Sequence, residues 1–181
     1  MRKKYAKWAL ISTLITFALS FSINFLSEVS IKGSALIFAI IVLLLIIFIG
    51  VIFDIIGTAV TAADEVPFHS MAAQKVRGAT RGIALIKSAE RVSNICNDIV
   101  GDICGIISGS TTAALVIRFF AENTSASFFA GIILTAVVAA VTVGGKAFGK
   151  GIAISNSNEI VFLVAKILSL FDKENKNGKH K

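Results

Sequence analysis

The sequence predicts an all-α integral membrane protein with four transmembrane helices and cytoplasmic juxtamembrane amphipathic helices. Of the 181 residues, 55% are apolar, and several apolar runs reach the roughly 20 residues that span about 30 Å of hydrocarbon. A single Pro and few charged residues exclude a disordered chain. The net charge of +7 resides in short flanks beside the apolar runs, where it indicates membrane topology and lipid headgroup contact rather than nucleic-acid binding.

The first two crossings are predicted near the N-terminus. A basic flank, residues 1–7, precedes an apolar run over about 8–26, which we interpret as an uncleaved first helix, with a signal peptide as the alternative. A polar link at 27–34 leads to a longer apolar run over 35–63. These two runs predict an antiparallel pair of helices.

The second half of the chain repeats this pattern of polar and apolar segments. Residues 64–91 mix basic and aliphatic side chains, which predicts an amphipathic helix at the membrane interface. A third crossing is predicted over about 92–119 and a fourth over 127–148. Residues 160–171 predict another amphipathic helix, and 172–181 a disordered basic tail.

Lys and Arg concentrate in the N-terminal flank, in 64–91 and in the C-terminal segment. Cytoplasmic loops carry an excess of these residues. Four crossings with both termini cytoplasmic satisfy every loop, so we predict a multi-pass protein of the cell membrane. Lys146 and Lys150, at the inner end of the fourth crossing, are interpreted as interfacial anchors.

The third crossing carries a set of polar and glycine residues within an apolar run. At helical spacing they form two neighbouring lines: Asn94, Asp98 and Asp102 on one, and Asn97, Gly101, Gly105 and Gly109 on the other. The first line is a ladder of oxygen ligands, and the second is a strip where another backbone can approach closely. Carboxylates inside a bilayer usually line a cavity or an ion path. Hydrogen bonding between helices and close helix packing are the alternatives.

Polar groups of three crossings are predicted to lie at one depth, in the inner half of the membrane. Asp54 lies about 13 Å of helix rise before residue 63, and the polar groups of the third and fourth crossings fall within the same half. Hard cations such as Mg²⁺, Na⁺ and Ca²⁺ prefer oxygen ligands of these kinds. The candidate metal ligands are Asp54, Thr58, Thr61, Asn97, Asp98, Asp102 and Thr142.

The residues do not indicate an enzyme. No paired nucleophile and base, phosphate-binding loop or zinc motif is present in the sequence. Cys96 and Cys104 are separated by about 12 Å of helix rise, too far for a disulfide between them. We therefore interpret both as small packing residues.

Several motifs together resemble one known membrane domain. They are Gly57-Thr58-Ala59-Val60-Thr61-Ala62, the amphipathic stretch 75–91, the polar run 97–102, and Thr142-Val143-Gly144-Gly145-Lys146 followed by 160–171. In this order they resemble the transmembrane domain shared by the CorB/CorC magnesium proteins and the cyclin-M proteins. Thr142 and Gly145 stand where that family has Glu and Pro, and Asp replaces some of its intramembrane Asn positions.

The resemblance implies a cyclin-M/CorC-like domain over 35–171, preceded by an extra helix within 1–34 and standing alone without nucleotide-sensing domains. It also implies binding and efflux of Mg²⁺, with Na⁺ as the coupling ion, by a homodimer in the lipid bilayer. No organic cofactor or nucleic acid is expected. The alternative function is a non-transporting membrane subunit, sensor or assembly partner that docks through the glycine strip of the third crossing.

Overall fold

The computed structural model is helical, which confirms the predicted fold class at that level. It describes residues 2–31, 36–120 and 124–176, and these ranges contain no strand. In chain order the elements are α1 (Arg2–Ile31), α2 (Leu36–Ala62), α3 (Val66–Ala73), α4 (Ala79–Lys87), α5 (Ala89–Ser93), a π-helical stretch (Asn94–Val100), α6 (Gly101–Phe120), α7 (Thr124–Ser155) and α8 (Ser157–Lys176).

Three helical segments in the described ranges are long and apolar enough to cross a membrane: Leu36–Ala62, Ala89–Arg118 and Phe128–Ser155. They indicate a membrane protein. The apolar stretch of α1, Ala9–Phe25, is shorter than these three. Three of the four predicted crossings are therefore supported by length and composition, while the first crossing and the position of the termini stay predictions.

Two helices extend beyond their predicted ends. Helix α1 continues to Ile31, into the predicted polar link, because residues 27–31 contain no Gly or Pro that would end it. Helix α8 continues to Lys176, into the predicted disordered tail, where Lys and Glu favour helix. The rest of the link and residues 177–181 lie outside the described residues.

The chain divides into two compact units. Unit 1 comprises Met1–Val51 and Ile99–Gly145, and unit 2 comprises Ile52–Asp98 and Lys146–Lys181. Helices α2 and α7 and the helical segment Ala89–Arg118 each contribute residues to both units. Each unit has its own apolar core.

Unit 1 has a core of aliphatic side chains spaced four residues apart, the spacing that places them on one helix face. One cluster joins α2 to α6 and α7: Ala39, Leu43, Ile47 and Leu115, with Val51 and Val138 packed against it. The other joins α6 and the end of the π-helical stretch to α1 and α2: Ile99, Ile103 and Ile107, with Ile23 and Ile46. Gly50 lets α2 approach α6 closely, since a Cβ there would lie 2.9 Å from the Cβ of Cys104.

Three hydroxyl groups on α6 in unit 1 donate hydrogen bonds to other groups of the chain. The Ser108 and Thr112 hydroxyls each donate to the carbonyl one turn earlier, both at 2.7 Å. Ser110 Oγ donates to Asn24 Oδ1 of α1 at 2.9 Å. These bonds let polar side chains occupy an apolar helix, because a buried polar group without a partner is costly.

Unit 2 is organised around Phe68 of α3, which is fully buried. Its neighbours come from α2, α7 and α8: Ala59, Val60, Ala153 and Val161. Gly82 of α4 lies directly under the Phe68 ring, and any Cβ there would overlap with the ring. Helix α4 therefore docks on α3 through a glycine. The helices predicted within 64–91 and 160–171 are confirmed as helices, and their position at the membrane interface stays a prediction.

Unit 2 also joins the end of α2 to the start of α8. The Asp64 amide donates to Asn158 Oδ1 at 2.9 Å, and Ser157 Oγ donates to the Ala62 carbonyl at 3.4 Å. Pro67 lies in the first turn of α3, where its missing N–H costs nothing. Gly78 has φ +95° and begins α4, a conformation that favours glycine.

Candidate cation site

Asp54 is the only charged residue of α2. It is 3% exposed, and its Oδ2 atom has no hydrogen-bond partner. The nearest cation is the ammonium of Lys150 on α7, whose Nζ lies 3.9 Å from Oδ2. An ionised carboxylate in apolar surroundings is strongly unfavourable unless it is paired or coordinates a metal. The negative charge of Asp54 is therefore only partly compensated by other groups of the chain, and its Oδ2 atom is free to act as a metal ligand.

Asn97 provides a second unsatisfied oxygen, also in unit 2. Its Nδ2 donates to Ser93 Oγ at 3.2 Å, which orients the amide along its own helix. Its Oδ1 is buried and has no hydrogen-bond partner. The amide lies against Gly57 of α2, where a Cβ would overlap with Oδ1. Glycine at 57 therefore makes room for the Asn97 amide.

The two oxygens are associated with one face of α2. Asp54 and Gly57 are three residues apart, so they share a face and are separated by about 4.5 Å of helix rise. Asn97 Oδ1 contacts the backbone at Gly57, one turn along from the Asp54 carboxylate. The carboxylate oxygen and the amide oxygen are both buried and without a hydrogen-bond donor, and both are of the kind that a hard cation prefers.

The π-helical stretch changes the register of the predicted ladder. A π turn carries an extra residue relative to α-helix, so positions before and after it are offset by one residue, about 100°. Asn97 is partly buried and Gly101 buried, whereas Asp98 and Asp102 are exposed in this chain. Asn94–Val100 is π-helical, so the α-helical spacing assumed for the two lines does not hold within this stretch, and the ligands predicted on them stay predictions.

The seven predicted ligands divide between the units. Asp54, Thr58, Thr61, Asn97 and Asp98 belong to unit 2, and Asp102 and Thr142 to unit 1. Thr58 is partly buried, and its carbonyl accepts a hydrogen bond from the exposed Thr61 hydroxyl at 2.8 Å. The Thr142 hydroxyl donates to the Val138 carbonyl at 2.7 Å. Within unit 2, the structure thus brings Asn97 to the α2 face that carries Asp54.

Sequence reasoning did not foresee three contacts of this site. Lys150 was expected to anchor the interface, but its ammonium lies beside Asp54. The fit of Gly57 under Asn97 and the hydrogen bond from Asn97 to Ser93 were also not predicted. A sequence signal existed for the first of these, because a lone carboxylate in an apolar helix requires a cation and few basic residues are near enough in depth.

A second polar cluster in unit 2 lies outside the membrane-crossing segments. Glu65 Oε1 lies 2.9 Å from His69 Nε2 and 3.3 Å from Lys87 Nζ. The hydrogen bond with His69, followed by the hydrogen bond and charge of Lys87, lowers the pKa of the Glu65 carboxyl. This cluster links α3 to α4 at the surface. It does not include Asp54 or Asn97.

The fold and the buried oxygens define the class as a helical membrane protein with a candidate cation site. No protein-family model, curated protein or solved structure matches the chain.

Proposed function

We propose that this chain is a membrane protein that binds a hard divalent cation, preferentially Mg²⁺, through Asp54 and Asn97. The observation that supports the proposal is the presence of two buried oxygens, Asp54 Oδ2 and Asn97 Oδ1, without hydrogen-bond partners in the same compact unit. Buried polar atoms in native proteins are nearly always paired. A cation coordinated by both oxygen atoms would provide each of them with the partner that it lacks.

The small number of charged ligands favours Mg²⁺. In the part of the chain that the structure describes, no group of three or more His, Cys, Asp or Glu side chains is placed to hold a metal. Mg²⁺ usually keeps several waters and binds through one or two carboxylates. Zn²⁺ and similar metals instead use Cys and His. One carboxylate with neutral oxygens around it therefore fits Mg²⁺ better than a transition metal.

Movement of the ion across the membrane is the second part of the proposal. It is supported by the resemblance to the CorB/CorC and cyclin-M transmembrane domain, which implies Mg²⁺ efflux by a dimer with Na⁺ as the coupling ion. The buried Asp54 in an otherwise uncharged α2 supports it further, because ionisable residues within membrane helices usually mark ion pathways. Thr58, Thr61 and Asp98, which belong to the same unit as Asp54 and Asn97, are the additional ligands that this pathway would use.

Cation binding is tested first, with the full chain in lipid nanodiscs titrated with Mg²⁺ by calorimetry and with Mn²⁺ by electron paramagnetic resonance. We expect Asp54→Asn to weaken binding by more than about tenfold, because it removes the only buried carboxylate of the site. Asp64→Asn is the matched control, since Asp64 is exposed and lies outside the site. Equal affinities for the two variants would refute the assignment.

Transport is tested with the same variants in liposomes. Mg²⁺ flux is followed with an entrapped dye, in the presence and absence of a Na⁺ gradient. We expect wild-type and Asp64→Asn protein to move Mg²⁺ and Asp54→Asn to move it no faster than empty liposomes. Binding without flux in the wild type would leave a cation-binding membrane protein and reject transport.

The glycine strip of α6 favours a second candidate function, docking of another helix. A Cβ built at Gly105 or Gly109 meets nothing within 4 Å, so this part of the strip is open in the single chain. Close approach of helices through small residues is common in membranes. The partner would be a second copy of this chain in a homodimer or another membrane subunit.

The docking function is separated from cation binding by Gly105→Leu. We expect this substitution to abolish an oligomer, measured by sedimentation in detergent, while leaving Mg²⁺ affinity unchanged. Gly144→Leu on α7 is the matched control, because it adds the same side chain where nothing lies within 4 Å of the Cβ. An oligomer that survives Gly105→Leu would reject the strip as its interface.

A further inference from the structure

The cation that the structure places beside Asp54 is part of the chain itself. Lys150 Nζ lies 3.9 Å from Asp54 Oδ2, too far for a hydrogen bond. The two side chains differ sharply in environment, since Lys150 is 53% exposed and Asp54 only 5%. The ammonium therefore approaches the buried carboxylate from a largely open side, at the end of a flexible stem.

We propose that Lys150 is an exchangeable counter-cation, which neutralises Asp54 when no metal is bound and leaves it when a divalent cation binds. The inference rests on the proposed function, because it assigns a regulator to the same carboxylate. A lysine ammonium is a compact point charge on four methylene groups, and the exposure of this side chain leaves it room to move away from the carboxylate. The absence of a hydrogen bond to Oδ2 means that exchange breaks no directional contact.

Competition with Lys150 sets a threshold of attraction that any bound cation must exceed. A monovalent ion that replaces the ammonium exchanges one unit charge for another, so it gains little attraction to the carboxylate. A divalent ion brings twice the charge and can also coordinate Asn97 Oδ1, which the ammonium does not satisfy. Lys150 therefore lowers the affinity for every cation that displaces it by the same factor, so that only an ion with strong intrinsic attraction to the site binds in its presence.

The experiment compares four forms of the full chain in nanodiscs: wild type, Lys150→Met, Lys166→Met and Asp54→Asn. Lys166 is the matched control because it is an exposed lysine of the same unit. All titrations are carried out at pH 8 in the same buffer, so that the four forms differ only in the substituted residue. We expect Lys150→Met to raise Mg²⁺ affinity by about fivefold, the effect of losing an ion pair with one exposed partner, and to raise Na⁺ affinity by the same factor, because either ion must displace the same ammonium.

A second measurement asks whether the ion pair and the metal exclude each other. Chemical unfolding of wild type, Asp54→Asn, Lys150→Met and the double variant forms a double-mutant cycle. We expect favourable coupling between the two residues in a chelator and none at saturating Mg²⁺. Neither variant should prevent folding, since Lys150 is largely exposed and Asn is nearly isosteric with Asp.

The outcomes separate this inference from the proposed function. If the wild type binds Mg²⁺ and Asp54→Asn does not, but Lys150→Met matches Lys166→Met in affinity, the exchange is rejected and the cation site stands. Coupling that persists at saturating Mg²⁺ would likewise reject the exchange alone. If the wild type binds no divalent cation, both the site and the exchange are overturned.

Discussion

Gly57 offers a direct test of the contact between α2 and Asn97. The Gly57→Ala substitution adds a methyl group that overlaps with Asn97 Oδ1 and lies 3.0 Å from the Cβ of Cys96. Overpacking of this kind typically costs about 1–3 kcal/mol. Alanine is favoured over glycine within a helix by about 1 kcal/mol. We therefore expect Gly57→Ala to lower the free energy of unfolding by about 0–2 kcal/mol.

A control removes the contribution of helix propensity. Gly151 of α7 belongs to the same unit, and a Cβ there meets nothing within 4 Å. Gly151→Ala should therefore show only the gain from propensity, about 1 kcal/mol. The difference between the two variants then measures the overlap itself and should be about 1–3 kcal/mol, determined by reversible chemical unfolding in detergent.

The same substitution has a consequence for the proposed cation site. The methyl group pushes the Asn97 amide away from α2, so Mn²⁺ affinity should fall by about tenfold, as when a supporting contact of a metal ligand is lost. Gly151→Ala should leave the affinity unchanged. If Gly57→Ala were as stable as Gly151→Ala and bound Mn²⁺ equally well, the packing of Asn97 against α2 would be refuted.

Two further predictions concern unit 2 outside the site. Phe68→Ala should lower the free energy of unfolding by about 3–5 kcal/mol, the usual cost of truncating a buried Phe, whereas Phe148→Ala, at a residue that is 76% exposed, should change it little; equal effects in chemical unfolding would contradict the core around Phe68. The hydrogen bond of Glu65 with His69 and the charge of Lys87 lower the pKa of the Glu65 carboxyl from 4.5, so this carboxylate stabilises the fold above pH 4.5 and the contribution is lost as pH falls through the lowered value. In the Glu65→Gln variant, the melting temperature should therefore decrease less than in the wild type as the pH is lowered below 4.5. An equal decrease in the two proteins would show that the cluster does not contribute to stability.

Much of the architecture could be predicted because it depends on local properties of the sequence. Apolar runs of sufficient length have few structures open to them in a bilayer, since every backbone group must be hydrogen-bonded within the segment. The segments Leu36–Ala62, Ala89–Arg118 and Phe128–Ser155 follow from this constraint. The helix ends at Ile31 and Lys176 could not be predicted in this way. Hydropathy indicates which segment a membrane can accept, but it does not indicate the residue at which the helix ends.

The candidate site was predictable in its residue types but not in its arrangement. Asp54 and Asn97 were two of the seven ligands predicted from the cost of placing polar groups in apolar helices. Helix periodicity did not reveal the π-helical stretch at Asn94–Val100, because a wider turn depends on packing and hydrogen bonds that no fixed period describes. The register of Asp98 and Asp102 relative to Asn94 changed with it.

Sequence alone therefore determined that this chain is helical, that it contains membrane-length apolar segments, and that Asp54 and Asn97 are polar groups in need of partners. Only the tertiary structure decided what lies beside them: Lys150 at the Asp54 carboxylate, and Gly57 beneath the Asn97 amide. The physical reason is one of range. Hydropathy and propensity act over one or two turns, whereas burial of a carboxylate and the fit of an amide against glycine depend on helices distant in sequence.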